Sequence, residues 1–138
     1  MNFDEFIKSG TVRKGTPDVQ HSKALVKMSE MHVRFLSGQV IDEVSSSTVF
    51  VMFYEALREI IEAVAAKEGY KVYSHEAYTA YLKLLGDSEI AVKFDRLRKI
   101  RNAANYYGKM VDVAETRASA EEIMMLIERI KIKYLQNI

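Results

Sequence analysis

An all-α fold is what this sequence predicts, an up-and-down bundle of four main helices plus one short helix forming a single domain over residues 1–138, and three observations lead to it. Apolar residues recur at helical spacing through several long segments. Chain breakers are scarce, with one proline and six glycines in 138 residues. Those few breakers and the capping residues fall between the periodic segments, where helices begin and end.

The first helix begins at Thr16-Pro17-Asp18, with Thr16 able to cap, Pro17 suited to the first helical position and Asp18 favoured by the helix dipole. Leu25, Met28, His32, Phe35 and Leu36 then form its inward stripe, and the pattern stops near Ser37-Gly38. Serines 45–47 precede the most apolar stretch, Thr48 to Lys67, the expected central helix. Val49, Phe50, Phe53, Leu57, Ile60, Ile61 and Val64 give it a wide packing face, Glu55, Arg58, Glu59 and Glu62 cluster to one side, and Gly69 is placed to end it. The run is too long for a strand and lacks period-two alternation. Ser74 can cap a short helix from His75 to Leu85, closed by Gly86. Ser88 opens a fourth that ends near Tyr107, with Gly108 as the stop. A fifth runs from Val113 to Gln136 with Ala120, Ile123, Ile127, Ile130 and Tyr134 on one stripe.

Composition narrows the function. Cysteine is absent, which excludes a disulfide framework, a thiol nucleophile and thiolate metal ligands. The three histidines, at 21, 32 and 75, lack metal-ligand spacing, so neither a metal nor another cofactor is expected. No apolar run approaches a membrane span and the N-terminal segment mixes acids and bases, so a cytoplasmic protein with no membrane partner is expected. A net charge of +1 places any nucleic-acid binding in a local patch. Tyr70, Tyr73, Tyr78 and Tyr81 surround the short helix at spacings that suit burial with a wet hydroxyl, and Met110, Met124 and Met125 read as core or interface filler.

One helix breaks a local rule. Ile90, Phe94, Leu97 and Arg101 step by four, three and four, so an inward apolar stripe continues into an arginine. Arg98, Asn102 and Asn105 lie beside it on the helical wheel. Lys93, Arg96 and Lys99 add positive charge against Asp95. An arginine on a packing stripe must be paired or wet. Two readings follow: Arg101 pairs with Glu55, Glu59 or Glu62, or lines a subunit interface; alternatively its planar fork faces a phosphate. His32 reads as a packed imidazole and His75 as a first-turn contact.

YEALREIIEAVAAKEGYKVYSHEAYTAYL (54–82) followed by FDRLRKIRNAANYYG (94–108) resembles the archaeal stand-alone branch of the HEPN domains, as does FDEFIKSGTVRKGTPD (3–18). The resemblance implies a helical bundle that commonly homodimerises, in a family whose members include RNA-cleaving toxins and partners of minimal nucleotidyltransferases in toxin-antitoxin-type systems. Such members carry an Arg, then four to six residues of which the first is usually polar, then a His. Arg101 and Asn102 match; Tyr106 stands where the His belongs. A His exchanging protons contributes about 10²–10⁴-fold, whereas a tyrosine with pKa near ~10 is only about a thousandth deprotonated at neutral pH. The tyrosine modified in some members falls here on Gly108, with Tyr106 and Tyr107 adjacent. The expectation is therefore a homodimeric module binding RNA or nucleotide phosphates through Arg98, Arg101, Asn102, Asn105 and Tyr107. Weak endoribonuclease action by Arg101, Asn102 and Tyr106, or a purely structural interaction domain, are the alternatives.

Overall fold

The computed structural model describes residues 1–138 and contains six helices and one two-stranded ribbon: α1 (Phe3–Lys8), β1 (Val12–Lys14), α2 (Val19–Ser37), α3 (Ser46–Lys67), β2 (Tyr70–Val72), α4 (His75–Leu84), α5 (Ser88–Tyr107) and α6 (Val113–Tyr134). The four long helices and the short α4 follow the sequence reading, with α6 ending two residues before Gln136. Helix α1 and the ribbon are additions. A capping box at Asn2 and Glu5 starts α1, each side chain bonding the other's backbone N–H. The strands pair antiparallel with Val12 opposite Val72, Arg13 opposite Lys71 and Lys14 opposite Tyr70. No helix is long and apolar enough to cross a membrane.

Helix α3 occupies the centre because it is apolar on nearly every side, and fourteen of its residues are buried. Side-chain contacts give the helix directions. Ser22 Oγ donates to the Ala63 carbonyl and Ser29 Oγ to that of Ala56, both at 2.7 Å, so α2 runs antiparallel to α3. Ser46 meets Thr116 and Lys67 meets the Tyr134 carbonyl, so α6 runs parallel to α3. Glu89 reaches Arg129 while Arg96 reaches Glu115 and Glu122, so α5 opposes α6. Directions therefore alternate along the four long helices.

The face of α2 differs from the sequence reading. Its buried residues are Ser22, Ser29 and Leu36, seven apart, while Met28 and Phe35 are about half exposed at 48% and 58%. Small side chains let α2 sit close on α3, and each buried hydroxyl satisfies itself on an α3 carbonyl. Counting apolar residues alone finds Leu25 and Leu36, which do pack inward, but adds Met28 and Phe35 and misses the serines. Its start also shifts: Asp18, not Thr16, is the cap, its carboxylate accepting from the His21 N–H at 3.0 Å. Residues 15–18 are instead tied to the end of α3, with Gly15 N donating to the Gly69 carbonyl and Asp18 N to that of Ala66.

Two tyrosine assignments change as well. Tyr78 and Tyr81 are buried, but Tyr73 is 59% exposed, and the Tyr81 hydroxyl has no hydrogen-bond partner. Met124 packs against the core, whereas Met110 and Met125 are exposed.

Candidate phosphate-binding site

Ile90, Phe94 and Leu97 of α5 are fully buried, and Arg101, one turn further on the same stripe, is partly buried where the core meets solvent. Gly108, at φ +63°, ends the helix in the left-handed region. Arg101 therefore sits in the last two turns of a helix held rigidly at its other end.

The glutamates expected as its partners are taken. Arg58 holds Glu55 at 2.9 Å and Glu62 at 2.7 Å, and His32 holds Glu59 at 2.7 Å. Burial pushes the Glu59 carboxyl up from its ordinary range, and His32 opposes that shift. The other cations of α5 are paired too: Lys93 with Glu89, Arg96 with Glu115 and Glu122, and Arg98 and Lys99 both with Asp95. Burial alone would raise the Asp95 carboxyl, but Arg98, Lys99 and the Thr79 hydroxyl hold it below its ordinary value. Arg98, read from sequence as a free ligand contact, is thus committed to Asp95.

Arg101 alone on this helix has no carboxylate. Its Nη1 donates to Asn102 Oδ1 at 3.1 Å and to the Tyr106 hydroxyl at 3.4 Å, both neutral acceptors. The guanidinium lies 5.8 Å from the Tyr54 ring centre and 5.6 Å from that of Tyr106, within cation–π range. Its Nε is shielded from solvent with no acceptor in the protein. Nε and Nη2 form the edge that grips an oxyanion bidentately. Of that edge Nη2 makes no hydrogen bond and is open to solvent, whereas Nε is closed to it, and Nη1 anchors the group.

The structure gathers Arg101, Asn102 and Tyr106 as the sequence reading expected. Asn105 and Tyr107 are exposed and make no side-chain hydrogen bond. Tyr107 is 84% exposed and makes no contact with the Arg101 guanidinium, which Tyr106 does.

Two residues of the cluster escaped the sequence reading. Tyr54 of α3 is completely buried beneath Arg101, stacked on Phe94 at 5.5 Å. Its hydroxyl lies 2.8 Å from Nδ1 of His75, the first residue of α4, whose ring stacks against it at 5.7 Å. Burial pushes the Tyr54 phenol well above its ordinary pKa, so it keeps its proton. With no other acceptor for that proton, the phenol donates to Nδ1, and the histidine proton sits on Nε2. The remaining His75 N–H, at Nε2, has no hydrogen-bond partner in the protein. The Ser74 hydroxyl makes no capping bond.

Burial, and secondarily the Arg101 charge, holds the His75 pKa below its ordinary value. The unfolded chain thus binds a proton near pH ~6.5 that the folded chain refuses. Its stabilising contribution is complete above that pH and is lost as pH falls through the lower folded value. His75→Gln is expected to unfold with a urea midpoint whose gap from wild type changes across this window. A gap constant between pH 7 and pH 5 would contradict the assignment.

Concavities in the surface lie elsewhere. One of about 330 Å³ opens between the end of α5 and the start of α6, lined by Lys99, Ile100, Lys109 and Glu115 among others. Another of about 380 Å³ sits beside the ribbon. Neither is lined by Arg101, whose cluster is an open surface site. No protein-family model, no curated protein and no solved structure matches the chain.

Proposed function

We propose that this chain is a phosphate-recognising module of HEPN-like type that binds RNA or nucleotide phosphates at Arg101, with Asn102, Tyr106 and the Nε2–H of His75 completing the donor set. One observation carries the reading: Arg101 is the only cation of α5 without a carboxylate, and its Nη2 makes no hydrogen bond although the helix is otherwise charge-paired. A guanidinium kept unpaired on a packing stripe gains from an external oxyanion. The alternating helices support the family resemblance on which the homodimer and the nucleotidyltransferase partner are proposed.

The site's protonation favours binding over cleavage. A general base needs a free lone pair near neutral pH, yet Nδ1 of His75 is occupied by the Tyr54 phenol and Tyr106 is a tyrosine. Donors dominate.

Arg101→Ala is expected to reduce binding of a short RNA by at least about tenfold, the loss typical of one charge-assisted contact, and to lower the salt dependence of what remains. Fluorescence anisotropy against salt concentration measures both. Unchanged affinity in that variant, with lost dimerisation on sedimentation, would instead assign Arg101 to a subunit interface. Cleavage of RNA to cyclic-phosphate ends, abolished by Arg101→Ala and Tyr106→Phe, would overturn the preference for binding.

A further inference from the structure

The β1–β2 ribbon carries a second charge arrangement that needs explaining. Arg13 and Lys71 are directly opposite one another in the register, on the face away from the buried Val12. Like charges so placed repel and weaken a strand pair. Neither has a carboxylate within ion-pair distance, and neither does the adjacent Lys14, in contrast to the paired cations of α3 and α5. The only acid lining the adjoining concavity, Asp18, is already accepting from the His21 N–H. Charged edges do guard short strands against pairing with other chains, but an oppositely charged pair would serve that purpose without the repulsion.

Two tyrosines interleave with these cations. The Arg13 guanidinium lies 5.6 Å from the Tyr73 ring centre and the Lys14 ammonium 5.3 Å from that of Tyr70. Tyr73 is largely exposed, so an aromatic face stands in solvent beside two unpaired charges. Cations alternating with exposed rings suit a chain of phosphates and bases, since every base offers a face for stacking and every linkage a charge. Tyr73 is the one exposed large apolar side chain on the ribbon, which leaves little to anchor a lipid surface.

The ribbon also leads to the Arg101 site. Tyr73 N donates to the Thr11 carbonyl, prolonging the ladder by one bond, and Ser74 is extended, so the backbone runs straight from Tyr70 to His75. At about 3.3 Å per residue that path is roughly 17 Å, longer than one phosphate needs. His75, at its end, touches Tyr54 beneath Arg101.

We propose that the outer face of the ribbon, Arg13, Lys71 and Tyr73 with Lys14 beside them, is a binding platform for single-stranded RNA that delivers a phosphate of the bound strand to Arg101. This rests on the function proposed above and narrows its ligand from any nucleotide phosphate to a single strand several nucleotides long.

The test uses the full chain with a labelled oligouridylate and, separately, uridine 5′-monophosphate. The double variant Arg13→Gln/Lys71→Gln is expected to bind the oligomer more weakly, with the slope of log affinity against log salt reduced by about 0.7 for each phosphate that is no longer neutralised, while the mononucleotide binds as before. Tyr73→Ala is expected to weaken the oligomer about tenfold and Tyr73→Phe to leave it unchanged, because stacking needs the ring and not the hydroxyl. These residues are exposed, and an unchanged circular dichroism melt verifies that the variants fold. Oligomer binding that survives the double variant with its full salt slope overturns the platform but not the Arg101 site. Oligomer binding abolished in the ribbon variants yet untouched by Arg101→Ala overturns the delivery to Arg101. Equal competition by polyglutamate overturns the assignment to RNA, and absence of binding to either probe overturns both readings.

Discussion

Phe94→Ala is expected to remove about 3–5 kcal/mol of stability, a large share of the 5–15 kcal/mol that a domain usually possesses. The ring is fully buried, stacks on Tyr54 at 5.5 Å with a 20° tilt, and meets the edge of Tyr78 at 6.5 Å. Its loss opens a cavity among α3, α4 and α5 that the neighbouring rings are too stiff to fill. Urea unfolding followed by circular dichroism measures the loss, and a value below about 1 kcal/mol would show that the junction relaxes around the gap. The same deletion reaches the site, because Phe94 backs Tyr54 and Tyr54 lies under the Arg101 guanidinium. Native Phe94→Ala should therefore also bind phosphate ligands more weakly, while Phe94→Leu keeps more of both properties.

Gly69→Ala should cost at least about 3 kcal/mol, more than any other single methyl added to this chain's glycines. Gly69 has φ +92°, and a Cβ there would meet the Gly15 carbonyl oxygen at 2.4 Å, the Pro17 nitrogen at 3.1 Å and the Thr16 carbonyl carbon at 3.2 Å. All three are backbone atoms, so no side chain can swing aside. Gly108 supplies the control: its φ is +63° and a Cβ there meets nothing within 4 Å. Gly108→Ala should cost only the left-handed backbone strain, about 1–2 kcal/mol. Comparable melting temperatures for the two variants would refute the role given to the Gly15–Gly69 contact.

Sequence reading performed well where one physical signal dominates. Gly69, Gly86 and Gly108 all adopt positive φ after the helices they were expected to stop, and the inward run of Ile90, Phe94 and Leu97 is buried as its spacing requires. It failed where burial is polar. Ser22 and Ser29 face the core because their hydroxyls bond to α3 carbonyls, a contact that a count of apolar residues cannot register. The ribbon was illegible because three-residue strands are too short to show alternation, and their partners are far apart in sequence. Helix α1 did leave a trace, since Asn2 and Glu5 have capping-box spacing.

The site shows the same division. Helical phase singled out Arg101, and the family resemblance added Asn102 and Tyr106 on the same helix. Tyr54 and His75 come from two other helices, and nothing in their own segments marks them. What brings them under Arg101 is tertiary: α4 begins where β2 ends, and α3 presents Tyr54 through the core. Of the α5 cations, Arg101 stands out only once the carboxylate partners of the rest are known.

The ribbon finally ties the proposed platform to the folding order of the chain. Strand β1 precedes α2 and β2 follows α3, so the strands can meet only after α2 and α3 have folded back on one another, with loop-closure entropy opposing any earlier encounter. A nascent or partly unfolded chain therefore lacks the platform altogether. By linkage, a ligand spanning the ribbon and Arg101 would bind only the assembled state and protect its amides from exchange, making RNA a clamp on a late-forming cooperative unit.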